Sequence, residues 1–472
     1  MTYYNEQLNN RKTLELFIAK CYIFFLPLRM INPLNKVFGI FRTQAEYLDF
    51  VFLLLGCFLY IMSRKTIHIN KSTTGDRVIY SFVEAVFVCG IISLVMTSYI
   101  FFSYGNYKGN SCYVASTKMI LNYVQYIFML AYGKYVISII TPKQIFKILH
   151  ASIVCLLIIG LIQLAVRFGA FPTTFYDILA RILHLCNRYG EISLTTEEPS
   201  HAALLFGAII LPYYYTKFLM DERIPRGHIL ELLLWFVLIL LCESSTAYAI
   251  FGIETGVMLI WLVTKRNTSI SLKIFTFIVS FFMVIVFINP NIIDSFFDID
   301  FTYLFYNKAF DIGNQSTASR YLGIYANILI FLRFPILGCG NGLQGYFYSD
   351  YSYLINGKLL DDSTIKLFSG SLDSIANGTT FLSGILSGWG TIGIILFLRF
   401  FIKSVKSIKK QKASCLNYYY FYYIALLGIL IGGLKSEFVG MPYIWFALSI
   451  PCVNFSLYDN KLYKEDGSEQ NN

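Results

Sequence analysis

Arg188, Glu191, Glu197 and Glu198 fall within one short polar stretch that ends at Pro199-Ser200-His201, where an apolar run begins. A positioned carboxylate can take a proton from a reacting hydroxyl, and a guanidinium can bind an anion through paired hydrogen bonds. Acids at the edge of a lipid-soluble segment are costly unless something uses them. The stretch also reads as a solvated loop leading into a helix, because acids near a helix N-terminus and Pro in the first turn are both favoured. Two adjacent carboxylates cannot both point into one site from a helix. Glu198 is nearer the span and is the preferred acid, with Glu197 left to helix-end electrostatics.

Further along, Arg320 closes Ser316-Thr317-Ala318-Ser319-Arg320 and precedes an apolar stretch ending at Arg333. It could clamp a phosphate or snorkel to lipid headgroups. Pro335-Ile336-Leu337-Gly338-Cys339-Gly340-Asn341-Gly342 has three glycines at alternate positions, a backbone able to turn sharply or approach a ligand closely. As a phosphate loop it is weak, because no Lys-Ser/Thr follows it and no strand–helix context surrounds it. Ser244-Ser245-Thr246 breaks two apolar runs beside Glu243; hydroxyls capping a helix explain it better than a nucleophile does. Asp298-Ile299-Asp300 has the spacing that holds a divalent metal in some sugar transferases, but such pairs are common in loops. His68, His150, His184, His201 and His228 show no zinc-site spacing, and no metal is expected.

The elements that must carry these residues are membrane helices. The 472-residue chain is 56% hydrophobic and 14% charged, with mean hydropathy +0.58, where a soluble domain carries about a quarter charged residues. The fold class is therefore all-α: a single polytopic membrane domain with no large soluble part and about 12 transmembrane helices. Apolar runs are placed at 13–31, 47–63, 78–102, 118–140, 144–166, 200–220, 229–245, 246–264, 272–290, 379–402, 417–434 and 439–457. The first of these reads as a signal-anchor span. Basic residues cluster after alternate spans (Arg64, Lys65, Arg223, Arg226, Lys265, Arg266, Lys403 to Lys412) and mark the cytoplasmic side. The formal charge of +10 is explained by these loops, so no nucleic-acid partner is expected. Two long segments are left outside, 167–198 and 291–379, and the second is expected to be partly helical. The tail 459–472 is cytoplasmic and too polar to pack. Most of the ten cysteines sit in spans as packing residues. A disulfide between two of Cys112, Cys186 and Cys339 stays open.

Taken in order, these features resemble the Wzy-type O-antigen polymerases of the O-antigen polymerase/ligase superfamily. The resemblance rests on Glu198-Pro199-Ser200 opening a span, the Ser244-Ser245-Thr246 hairpin, Arg320, Pro335 to Gly340, and the glycine-rich run Gly388 to Phe397. It covers roughly the C-terminal two-thirds. Each motif is short, and their order is more specific than any one alone. Ligases of the superfamily usually carry a functional His late in the large loop. Ser371 to Thr380 has none, which favours polymerase. The resemblance implies a multi-pass protein of the bacterial inner membrane with its active site facing the periplasm. It implies glycosyl transfer between undecaprenyl-pyrophosphate-linked oligosaccharides without metal or cofactor, and membrane lipids and a chain-length regulator protein as partners. Glu198, Arg320 and Arg188 would be catalytic. Glu197, Ser200, His201, Ser245, Gly338, Gly340 and Asn341 would contact substrate. A lipid-linked oligosaccharide flippase, to which Glu84 and Glu254 inside spans would belong, and an O-antigen ligase are the alternatives.

Overall fold

The computed structural model describes residues 2–28, 48–64, 73–183, 192–196, 199–220, 225–264, 315–355, 360, 362–371, 380–435 and 441–455. Glu197, Glu198, Arg188, the Asp298–Asp300 pair, the expected span at 272–290 and the tail 459–472 lie outside them.

Among the described residues the architecture is helical, with no strand. In chain order the helices are α1 (Thr2–Phe25), α2 (Leu48–Arg64), α3 (Thr74–Tyr104), α4 (Cys112–Ile139), α5 (Pro142–Arg167) and α6 (Thr173–Leu183). Then come α7 (Pro199–Met220), α8 (Arg226–Leu241), α9 (Ser245–Thr264), α10 (Gln315–Arg333), α11 (Gly345–Tyr348) and α12 (Asp362–Phe368). The last are α13 (Phe381–Lys410), α14 (Leu416–Lys435) and α15 (Pro442–Ser449). Six are long and apolar enough to cross a membrane: α3, α5, α7, α9, α13, and α14 over Leu416–Leu434.

Local chemistry sets several boundaries. Thr73, Thr141 and Thr380 cap α3, α5 and α13, each accepting from the backbone N–H three residues on. Pro142 follows its cap directly, where its missing N–H costs nothing. α1 stops at Phe25 ahead of Pro27, short of the run expected to 31. Within the expected span at 439–457, the described residues form α15 and a tighter turn, Ile450–Cys452, that contains Pro451.

Three groups of helices pack together. α3, α4, α13 and α15 form one, around an aromatic core. In it Trp389 stacks on Phe397, and Tyr126 lies parallel to Trp445 at 4.7 Å. α7, α9 and α14 form a second, and α1, α2, α5 and α8 a third. α7 is the central helix: 89% of its apolar window is buried against about half for the other five. By contrast α3 exposes Phe87, Ile91, Leu94, Val95 and Phe102 on helical spacing, a stripe that needs an apolar solvent. Where α7 meets α14, Gly207 and Gly428 bring two backbones together. A methyl on Gly428 would sit 2.6 Å from the Gly207 Cα. The hydrogen-bond ladder of α7 widens to a π turn over Phe206–Ile210 at that crossing.

Candidate functional site

The segment leading into Glu197 is buried. Ile192, Ser193, Leu194, Thr195 and Thr196 are each at most 1% exposed. Buried backbone polar groups must find partners, and here a side chain supplies them. Gln163 of α5 donates from Nε2 to the Leu194 carbonyl (2.8 Å) and accepts at Oε1 from the Leu194 N–H (2.9 Å). Thr195 donates to the Pro27 carbonyl after α1, and Thr196 closes the turn on Ser193. The solvated loop offered by the sequence is therefore corrected for residues 192–196. The acidic pair is flanked by this buried turn and by the start of α7, where Ser200 is buried and His201 half-buried.

α7 packs against α9, whose first turn holds Ser245. The preceding hairpin is fixed from α5: Arg167 donates to Glu243 (2.5 Å) and to the Leu241 carbonyl (2.8 Å). Glu243 takes a left-handed φ of 53° to make the turn. Ser244 Oγ accepts from the Ala247 N–H, and its carbonyl accepts from Tyr248. Ser244 is a helix cap, as its spacing suggests. Thr246 Oγ1 is buried with no partner among the described residues. Ser200, His201 and Ser245 thus share one polar end of the α7–α9 pair.

Gly338, Gly340 and Asn341 are elsewhere. Their loop is clamped to a break in α13, where Gly390 has φ 57° and ψ −154°. The Cys339 N–H donates to the Ser387 carbonyl (2.8 Å) and Gly340 to Gly388 (3.0 Å). In return, Thr391 and Ile392 donate to the carbonyls of Pro335 and Ile336 (2.9 and 3.3 Å). A methyl on Gly338 would lie 2.4 Å from the Gly388 carbonyl carbon and the Trp389 nitrogen. The close backbone approach that the glycines permit is made to α13. Ser93 of α3 ties the joint, accepting from Trp389 Nε1 (2.7 Å) and the Asn341 N–H (3.3 Å). The Asn341 side-chain nitrogen is buried with no partner among the described residues. Cys112 and Cys339 are both free thiols, with no disulfide among the described cysteines. Burial pushes the Cys339 thiol up, away from reactivity.

Arg320 lies one turn into α10, half-buried, with no hydrogen-bond or ion-pair partner among the described residues. Beside it Ser319 Oγ is buried, also with no partner among the described residues. α10 packs on α13, and Asn327 locks it there by bonding Ser383 Oγ and Tyr348 OH, both at 3.0 Å. At its far end Arg333 pairs with Asp350 (2.6 Å), bonds Tyr104 OH and covers the Phe347 ring. Partial burial pulls the Arg333 guanidinium down, but the Asp350 bond outweighs it and holds it above its ordinary value.

Of the acids inside spans, Glu84 pairs with Arg399 across α3 and α13 (2.9 Å). Glu254 is fully buried against Gly207 and Gly428. Spacing along the chain gives no sign of a further cluster, His150, His228 and Glu231, whose ligand atoms lie within 4.8 Å of one another. No protein-family model matches the chain, and no curated protein is similar to it.

Proposed function

We propose that this chain is a membrane glycosyltransferase that joins undecaprenyl-pyrophosphate-linked repeat units of a bacterial surface polysaccharide at the outer face of the inner membrane. The observation that carries this reading is Arg320, a half-buried guanidinium with no partner among the described residues, on a helix held in place by its neighbours. An unpaired cation that has lost part of its water is costly, and a pyrophosphate oxygen pair would satisfy it bidentately. The acceptor sugar hydroxyl attacks the anomeric carbon of the donor. The bond from that carbon to the lipid pyrophosphate breaks, and the pyrophosphate leaves with the electron pair. Arg320 and Arg188 offset its growing charge, and Glu198 takes the hydroxyl proton. Glu197, Ser200, His201 and Ser245 position the acceptor. Gly338, Gly340 and Asn341 hold the frame behind α10. About twelve spans, a periplasmic site and a chain-length regulator as partner belong to the same reading.

The test is purified protein incubated with lipid-linked repeat units. The wild type is expected to give a ladder, Arg320→Ala none, and Arg320→Lys a weak one, because an ammonium lacks the paired geometry. Undiminished polymer from a stable, membrane-inserted Arg320→Ala protein would sink the assignment. Glu254, a fully buried carboxylate inside α9, favours a second reading, a lipid-linked oligosaccharide flippase. Lipopolysaccharide from a deletion strain separates the two: single-repeat bands mean a missing polymerase, and no surface repeats mean a missing flippase or ligase.

A further inference from the structure

His150 lies two turns into α5 and Glu231 in the second turn of α8, 81 positions away. His228 and Glu231 are three residues apart on α8, a spacing that puts both on one face. The fold turns that face toward His150. His150 Nε2 and Glu231 Oε2 are 2.9 Å apart, and the imidazoles of His150 and His228 lie nearly parallel at 4.7 Å between centroids. All three ligand atoms fall within 4.8 Å of one another.

We propose that His150, His228 and Glu231 bind a divalent transition-metal ion of the zinc type. Zinc with ligand distances of about 2.0–2.1 Å in tetrahedral geometry sets its ligand atoms about 3.3 Å apart. One pair here is already slightly closer than that, at 2.9 Å, and the His228 ligand atom lies within 4.8 Å of both. Two imidazoles and one carboxylate form a donor set that suits Zn2+ over Mg2+ or Ca2+, which prefer oxygen. The ion takes the place of the proton that His150 Nε2 and Glu231 Oε2 share, and that proton is released to solvent. The outer support of a metal ligand is also present. Tyr214 of α7 donates to the same Glu231 oxygen at 2.9 Å, and the Tyr213 ring lies flat against His150. Such partners fix the orientation of ligands. The His150 and Glu231 side chains keep 30% and 22% of their surface exposed, so an ion can reach them and a water can fill a fourth position. The bound ion joins α5 to α8 and, through Tyr214, to α7, at the end of these helices opposite the acidic pair and independent of glycosyl transfer.

The test uses the full chain in detergent, with any affinity tag removed, stripped with a chelator and titrated with Zn2+ by calorimetry. About one Zn2+ per chain is expected, together with the visible absorption of a tetrahedral site on Co2+ substitution. His150→Gln and His228→Gln should each weaken binding at least about a hundredfold, and Tyr214→Phe about tenfold. His184→Gln should leave binding unchanged. Zn2+ should raise the unfolding temperature of the wild type and not of the His228→Gln protein. Should His228→Gln elute as aggregate, His228→Cys, which restores a zinc ligand, should keep the Co2+ spectrum with added thiolate bands. Absence of Zn2+ binding, or binding that survives the loss of both histidines, would overturn the proposal and leave a hydrogen-bonded His–Glu pair.

Discussion

Gly338→Ala adds one methyl at the joint between the glycine loop and α13. Gly338 has φ +70°, a conformation that costs an L-residue about 1–2 kcal/mol. The new carbon would meet the Gly388 carbonyl carbon and the Trp389 nitrogen at 2.4 Å. These are backbone atoms that cannot swing aside, so the overlap costs about 1–3 kcal/mol. Separating the loop from α13 relieves it but breaks the bonds from Cys339 to Ser387 and from Gly340 to Gly388, each worth about 0.5–1.5 kcal/mol. The protein takes either the overlap or the lost bonds, not both, so with the conformational cost the loss is about 2–5 kcal/mol. Gly169→Ala is the control: φ is +71° and nothing lies within 4 Å, so only the conformational cost of about 1–2 kcal/mol remains. Both proteins would be purified in the same detergent and heated, and the monodisperse fraction followed by size exclusion. Gly338→Ala is expected to unfold at a clearly lower temperature than Gly169→Ala. Equal stability would refute the clamp.

Three further outcomes are expected. Gln163→Leu leaves both backbone groups of buried Leu194 unpaired at about 1–3 kcal/mol each, so limited proteolysis should cut faster between α6 and α7 while α5 still inserts. Asp350→Asn should cost under about 1 kcal/mol, since that ion pair is well exposed, and Arg333→Ala more, because the guanidinium also covers Phe347; equal effects on thermal stability would contradict this. Partial burial, with Cys112 adjacent, pushes the Tyr346 phenol up from its ordinary 10.0 to about 12. The folded state then holds that proton more tightly, so the group's contribution is complete below pH 10 and is lost as pH rises toward about 12. The stability difference between wild type and Tyr346→Phe should shrink over that interval, and a difference that persists above it would be wrong for this origin.

Hydropathy located the six long apolar helices found among the described residues, because a span must be apolar along its whole length, whoever its neighbours are. Ser244 was legible for a similar reason: a cap is a local bond, complete within three residues. Partners far along the chain were not. Gly338 and Gly340 looked fit for a ligand, and nothing in their own segment says that Ser387 and Gly388 would take up the approach. Gly388-Trp389-Gly390 looked like one turn of a glycine-rich helix until Gly390 adopts a positive φ to receive the loop. The turn at 192–196 looked solvated because its solvent substitute, Gln163, sits 31 positions upstream in an apolar run. His150 and His228 seemed unrelated because helix packing, not spacing, makes them neighbours.

The clamp also has a consequence in time. A ribosome delivers Cys339 and Gly340 well before Ser387 and Gly388, so the loop's two amides exist for a while without the carbonyls they finally meet. α13 in turn reaches the bilayer with a broken ladder at Gly390, and its Thr391 and Ile392 amides are satisfied only by that earlier segment. Buried in the finished fold, neither half satisfies its own amides alone. Docking of the loop therefore waits for α13. A nascent chain stopped before residue 381 would keep α10 unanchored and its loop open to protease, whereas one stopped after residue 410 would not.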